Sequence, residues 1–561
     1  MSQSEPLPQT EAVVLHDWTP LTETLDWRLG KLAYQARGTR VFVNNEVPNL
    51  LHQGGLIPYR AAEVLLANFA EAHARGTLAD EIVVVEPGMG LGLFAVQVLD
   101  RLKARCAAVG VDWYDRLTWY ATDATPAVLR DVERSGIFAR HAGRVVLGQA
   151  SAMQPAQVRP LSGAPIDLSG RIQAVFHSYV FCMLPMNLLQ VDGDAVSILL
   201  ARTVLQQPSL LSEYTPLSLA SIQEIVRGGD PTAHTALVDL YPLLDLELAL
   251  SPVEPAGQDR AQRIAAAIRE EAPGEGPVWV LDSSGAESAM SATLSALRPD
   301  GFLLYRDYGP TTAAAANEQL VYQHYGATIA VQVNHYALER LTPAQVTTPP
   351  GELPGKVSSR LVGRGALSQT RAAFVTAYDF ADILALKATA GRARSAPDAS
   401  LVDAWKTAIA VEPDNWLLLT EAADAIFTRL GDPNTAYPLL KKSLDLNPWI
   451  QATAWDLLAE MFLSAKELGQ AAAALEKSRG INPEHPRLYA ALSRLHEARG
   501  EPEAAVTAAA QAVAWETDPA RQAAHAARLQ ECISALSRRR MRDRELRTGR
   551  TAGGYHQSFS F

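Results

Sequence analysis

The chain has 561 residues, 48% of them hydrophobic and 20% charged, with a net charge of −11. That is ordinary globular composition and too long for one ordinary core, so two or three domains are expected. The acidic balance argues against a nucleic-acid partner, no apolar stretch is long enough to span a bilayer, and Cys106, Cys182 and Cys532 are too scattered for a metal set or a disulfide framework.

Residues 1–25 are polar, contain prolines and lack the apolar core of a secretory signal, which predicts a flexible arm and a cytoplasmic chain. Residues 26–80 read as a cap region. It includes a loop at His52-Gln53-Gly54-Gly55. Pro58 opens a helix that runs to about Ala74 and is placed to cover a ligand from above.

Val83-Val84-Val85-Glu86 is a β-branched run ending on an acid, and needs burial on both faces as in a parallel sheet. Pro87-Gly88-Met89-Gly90-Leu91-Gly92 follows, then a helix from Phe94 to Ala108. Glycines at alternate positions allow a sharp turn and a close backbone approach to a ligand. The start of the helix offers unpaired N–H groups. Gly90-Leu91-Gly92-Leu93-Phe94-Ala95 satisfies the dinucleotide pattern G-x-G-x-x-G/A. The other register, Glu86-x-Gly88-x-Gly90-x-Gly92, resembles the first motif of class I S-adenosylmethionine (SAM) methyltransferases. A tight turn without ligand is the plain alternative.

The second strand, Leu117–Asp123, also ends on an acid. Asp123 is the candidate for ribose hydroxyls. It, or Thr125 before Pro126, also suits the N-cap of the next helix. A third strand ends at Gln149 and Ala150, and a fourth, Ile172–Tyr179, carries His177. Leu184-Pro185-Met186 is expected to start a helix. Residues 190–275, broken by prolines and glycines, read as an insertion over the carboxyl edge of the sheet. The α/β rhythm resumes at Val278–Asp282 and continues through a helix, Ala286 to Leu297. The strand Gly301–Gly309 ends in Asp307-Tyr308-Gly309, and Thr328–Tyr336 alternates like an antiparallel edge strand. This alternation predicts an α/β, Rossmann-like parallel sheet with an inserted substrate region over residues 81–365.

The order of these features resembles the MidA-type family of class I SAM-dependent methyltransferases, the family of a mitochondrial complex I assembly factor that methylates a protein arginine. The resemblance rests on the Pro58–Phe69 helix, the Glu86–Gly92 turn, Asp123 with Pro126, Leu184-Pro185, the long insertion and the Asp307-Tyr308-Gly309 strand end. It implies SAM as cofactor. Gly88, Gly90 and Gly92 would then hold the methionine end, and Glu86 would orient the loop or contact the amino group, directly or through water. Asp123 would hold the ribose, with Gln149 and Ala150 beside the adenine. After the fourth strand the family usually carries Asn-Glu, an apolar run and Asp-Ala-Leu-Pro. Here the Glu position is Tyr179 and the Asp position is Cys182. Residues at the carboxyl ends of the fourth and fifth strands face the acceptor, so His177, Tyr179 and Asp307 are the candidate catalytic groups. The plain reading of His177 is a satisfied structural histidine.

Residues 366–399 read as a linker. Residues 400–536 are Ala- and Leu-rich and repeat. Glu412-Pro413, Asn447-Pro448 and Asn482-Pro483 recur at about the tetratricopeptide period of 34. Trp455, Leu458, Ala459, Phe462, Ala471, Leu475 and Pro483 fall at the packing positions of that motif. An all-α solenoid with a concave peptide-binding face follows. The plain alternative is that it serves only packing or assembly. Residues 537–561, arginine-rich at first and ending Ser558-Phe559-Ser560-Phe561, read as a flexible basic tail. The expected function is SAM-dependent methyl transfer to a protein or peptide recruited by the repeats. The alternatives are a small-molecule acceptor and a catalytically silent binding protein. Neither a membrane nor a metal ion is expected.

Overall fold

The computed structural model describes residues 12–43, 47, 54–254, 258–318, 322–326, 328–352 and 357–552. They divide into two units, one ending at Ala388 and the other beginning at Thr389. The His52-Gln53 part of the expected loop lies outside the described residues, as do residues 1–11 of the arm.

In chain order the first unit contains strands β1 (Val13–Pro20), β2 (Ile82–Pro87), β3 (Leu117–Asp123), β4 (Val145–Gln149), β5 (Gln157–Pro160) and β6 (Ile166–Asp167). Next come β7 (Ile172–Ser178), β8 (Asn187–Asp192), β9 (Ala195–Leu205), β10 (Leu244–Pro252) and β11 (Val278–Asp282). β12 (Leu297–Tyr308), β13 (Gln323–Tyr325), β14 (Thr328–Ala330), β15 (Gln345–Thr347) and β16 (Val357–Gly363) complete the set. Five strands lie parallel in the order β4-β3-β2-β7-β12. Numbered among themselves they run 3-2-1-4-5, a doubly wound sheet whose order reverses between β2 and β7. β16 pairs antiparallel with β12, and β15 with β16. The inner strands β2 and β7 are covered on both faces, which is why they are apolar runs without alternation. Trp119 stacks on Phe176 with ring centroids 5.6 Å apart, and Phe302 meets Phe176 edge-on at 6.0 Å.

The helices that matter for the site are α1 (Leu25–Arg37), α2 (Arg40–Val43), α3 (Leu56–Ala74), α4 (Leu93–Val109) and α5 (Pro126–Ser135). α3 does not cover a ligand from above. It packs in an outer layer with α4 and with the helix Ser368–Ala377. Glu71 of α3 accepts from both the backbone N–H and the hydroxyl of Thr370, at 3.0 and 2.7 Å. Residues 366–399 are therefore largely helical, over Ser368–Ala377 and Phe380–Arg394, and the first helix is bound to the core.

The expected insertion forms much of a second sheet. β9 takes β8 and then β1 along one edge and β10 along the other, all antiparallel, and β11 pairs with β8. Three expectations change here. Residues 13–20 form β1 instead of a loose arm. Only Leu15 of that strand is fully buried, so its sequence pattern is weak. Val278–Asp282 belongs to the second sheet and not to the parallel one. Leu184-Pro185-Met186 leads into β8 and not into a helix. A fourth change is at the edge. Within Thr328–Tyr336 only β14 is a strand, paired with β13, and the chain then turns into the helix His335–Leu341. β16 takes the antiparallel place instead.

The second unit is a run of antiparallel helices. Trp416–Leu430 packs with Pro433–Leu446, Ala452–Ser464 with Leu468–Ile481, and Pro486–Ala498 with Pro502–Trp515. Ala436, Ala454, Ala459, Ala471, Ala491 and Ala505 are buried, and small side chains let the paired helices approach closely. Arg487 joins three of these helices by ion pairs to Asp424 at 2.9 Å and Glu460 at 3.0 Å. The last helix, Pro519–Ala552, carries the basic segment as continuous helix. Residues 553–561 of the expected tail lie outside the described residues.

Gly309, at the end of β12, meets the chain again at Val333. A Cβ on it would lie 2.0 Å from the Val333 carbonyl oxygen. Gly309→Ala is expected to destabilise the first unit by about 1–3 kcal/mol. Denaturant melts followed by tryptophan fluorescence would show this as a lower midpoint.

Candidate functional site

A cavity of about 680 Å³ lies at the carboxyl ends of β2, β3, β4 and β7. Ligand crevices of doubly wound sheets occur at this switch point, and the volume is that of a small-molecule site. The turn from Glu86 to Leu91 contributes its backbone. Lys31, Tyr34 and Phe42 come from α1 and α2, residues 150–153 from the loop after β4, and residues 178–180 and 183–185 from the segment after β7.

The glycine turn needs its glycines. Gly88, Gly90 and Gly92 have φ of 69°, 54° and 72°, which side chains adopt only with strain. A Cβ on Gly88 would lie 2.7 Å from a Val180 methyl, and one on Gly90 3.3 Å from the Phe42 ring. Gly88 and Gly90 line the cavity. Gly92 stands behind them as the N-cap of α4, against Phe138.

Asp123 ties two loops together. One carboxylate oxygen accepts from the Thr125 N–H at 2.9 Å, the other from the Gly90 N–H at 3.4 Å. Thr125 is the N-cap of α5, but its own side chain makes no capping bond. Of the two residues expected as N-cap it is Thr125 that takes the place, while Asp123 holds the Thr125 N–H and lines the cavity. Burial raises its pKa to about 6. Glu86 accepts from the Trp119 indole N–H at 3.2 Å, and burial pushes its pKa up to about 8. Ala150 lines the cavity. Gln149 does not, because its side-chain amide donates to the Ala124 carbonyl at 3.0 Å.

The three candidate catalytic groups do not converge. Tyr179 lines the cavity, held at a φ of 54° that is rare for a residue with a side chain. Its N–H donates to the Arg306 carbonyl at 2.9 Å, and its phenol lies beside the Arg306 guanidinium. Burial raises that phenol to about 12, against the opposing effect of Arg306. His177 is outside the lining. It is buried against Phe181, with Nε2 3.4 Å from the Thr293 hydroxyl, and desolvation lowers its pKa to about 3. It is therefore neutral near pH 7. Asp307 is also outside the lining. Its oxygens accept from the N–H groups of Cys182 and Tyr308, each at 3.0 Å, so it holds the turn Phe181–Met183 in place. Burial raises its pKa to about 7.

Sequence reasoning missed Lys31, Tyr34, Gln35 and Phe42 as lining residues. Lys31, Tyr34 and Gln35 are spaced i, i+3, i+4, so they share one helix face. That spacing was readable, but a polar helical face ordinarily faces water.

Among solved structures, the chain is similar to an uncharacterized superfamily protein from Burkholderia thailandensis. The identity is 16%, over 64% of this chain and 71% of that one, with a TM-score of 0.31. It is also similar to a second member of that superfamily from the same organism, bound to S-adenosyl-homocysteine. There the identity is 15%, over 64% and 72%, with a TM-score of 0.31. A third similarity is to the MamA protein, at 18% identity over 32% of this chain and 97% of that one, with a TM-score of 0.22. The family model of the tetratricopeptide repeat matches residues 462–529. No curated protein matches the chain. Among the described residues, no helix is long and apolar enough to cross a membrane.

Glu86, Asp123 and Asp307 all have folded pKa values above their ordinary ones. The folded state therefore holds their protons longer than the unfolded chain does. Their contribution to stability is complete below about pH 4 and is lost as pH rises through about 6 to 8. Glu86→Gln keeps an acceptor for Trp119 and removes one of these titrations. Its thermal midpoint is expected to climb relative to the parent chain between about pH 5 and about pH 8. A constant difference across that range would contradict the assignment.

Proposed function

We propose that the first unit is a SAM-dependent methyltransferase. We further propose that the tetratricopeptide unit docks a polypeptide, which on this reading carries the acceptor. The transfer reading is carried by the glycine turn at the switch point of the sheet, bridged by Asp123. The residues present fit the cofactor. Gly88 and Gly90 leave its methionine end room against the backbone, where a side chain would collide with Val180 or Phe42. The buried carboxylates of Glu86 and Asp123 suit an ammonium and ribose hydroxyls, whose donors favour their charged forms. Ala150 and Ser151 border the adenine end. Bound SAM supplies an electrophilic methyl group on a sulfonium. The chain contributes position and exclusion of water. Three buried free cysteines suit a reducing compartment, and we place the protein in the cytoplasm.

A second reading, a small-molecule acceptor, is favoured by the lining opposite the glycine turn. There Leu32, Val180, Met183 and Leu184 present a confined apolar surface. Label transferred from methyl-labelled SAM into a cell lysate, followed by sizing of the product, distinguishes the two acceptors.

Calorimetric titration with S-adenosylhomocysteine tests the cofactor assignment. Asp123→Ala is expected to weaken binding by about 1–3 kcal/mol through lost hydrogen bonds. The affinity of the parent chain should rise as pH increases through about 6, where Asp123 ionises. Absence of binding would leave a non-catalytic binding protein as the function.

A further inference from the structure

The two halves of the cavity differ in charge. Glu86 and Asp123 are the carboxylates of the described lining, and both belong to the half that the cofactor reading occupies. The other half is made by Lys31 and its neighbours on α1 and by the segment after β7. It presents no carboxylate among the described residues. Lys31 makes no ion pair among them, and partial burial lowers its pKa because its ammonium is short of solvent.

A second cation stands behind this wall. Arg306 is 3% exposed, and its Nε has no hydrogen-bond partner. Its other neighbours include hydroxyl groups, Ser359 at 3.2 Å and the Tyr179 phenol. Asp307, next in sequence, turns its oxygens to the N–H groups of Cys182 and Tyr308 instead. Lys31 in the lining and Arg306 behind it bring two positive charges to this wall, offset in part by Asp307, which acts on Tyr179 from the same side as Arg306.

The same half also lacks a base among the described residues. Its ionisable lining groups are Lys31, Tyr34 and Tyr179, and burial raises both phenols above their usual range. With Lys31 in the charged form that its role as an anchor requires, an acceptor that must lose a proton on the way to transfer would find no group on this wall to take it. An acceptor already carrying negative charge needs none.

We propose that this half binds a small anion with an apolar body, a carboxylate or a phenolate, anchored by Lys31 and methylated on its charged oxygen. The assignment rests on the SAM reading above and takes its small-molecule form, in which the acceptor is not carried by a polypeptide. A lone pair of the anionic oxygen forms the new O–CH3 bond as the S–CH3 bond breaks. The electron pair of the broken bond stays on sulfur. A sulfonium and an anion become a thioether and a neutral ester or ether, and no proton moves.

The test uses the full-length chain saturated with S-adenosylhomocysteine and titrated with phenylacetate, 4-nitrophenolate or arginine methylamide. At least one anion is expected to bind, and arginine methylamide more weakly. Lys31→Met should reduce anion affinity at least about tenfold more than S-adenosylhomocysteine affinity, and Lys31→Arg should restore it. Which anion binds separates the carboxylate source from the phenolate one. Anion binding indifferent to Lys31, or preference for the guanidinium, overturns the proposal. Failure to bind S-adenosylhomocysteine overturns the parent reading and this one together. Binding of S-adenosylhomocysteine without Lys31-dependent anion binding overturns the acceptor assignment alone.

Discussion

The cavity depends on one carboxylate. Asp123 accepts from Gly90 on one loop and Thr125 on the next, so a single side chain sets the spacing between the glycine turn and the start of α5. Both loops leave neighbouring parallel strands, and the register Val83 to Thr118 aligns their ends. The backbone of Gly90 can reach the acid because it has a φ of 54° and no side chain to meet the Phe42 ring. Moving any of these parts moves the others.

That arrangement places acids where water is scarce. Glu86, Asp123 and Asp307 are all buried, and each is shifted toward its neutral form by desolvation. They are held by neutral donors, an indole and backbone N–H groups, and not by cations. A ligand that brings positive charge or hydroxyl donors to Glu86 and Asp123 relieves this cost. Asp307 has a different part. Its two oxygens are committed to the turn that follows β7, so it shapes the wall on which Tyr179 stands.

The elements around the parallel sheet divide the remaining work. α1 spans two environments. Leu25, Trp27 and Leu29 are buried in the core of the second sheet, while Lys31 and Tyr34 reach the cavity. The residues inserted after β7 thus build a folded layer that anchors a wall of the site. The helical unit is held differently, by small buried residues and by charge. Arg487 bonds acids from two other helices, so polar side chains there contribute to the stack itself.

The local chemistry of the sheet and its loop was legible in the sequence. Apolar β-branched runs mark buried strands, and an acid followed by alternating glycines marks a turn that tolerates no side chains, as the positive φ values of Gly88, Gly90 and Gly92 bear out. The repeats were legible because each unit restates the same packing positions. Partnership was not legible. Val278–Asp282 is as apolar as a strand of the parallel sheet, yet it pairs with β8, since strand composition records burial and not neighbour. His177 and Asp307 sit at strand ends, as a catalytic pair would. Side chains alternate across a strand, however, and their directions were decided by the packing around Phe181 and Cys182. Lys31 shows the same limit from the other side. By itself it is a charged residue on a helix face, and only the docking of α1 against the sheet makes that face the wall of a cavity.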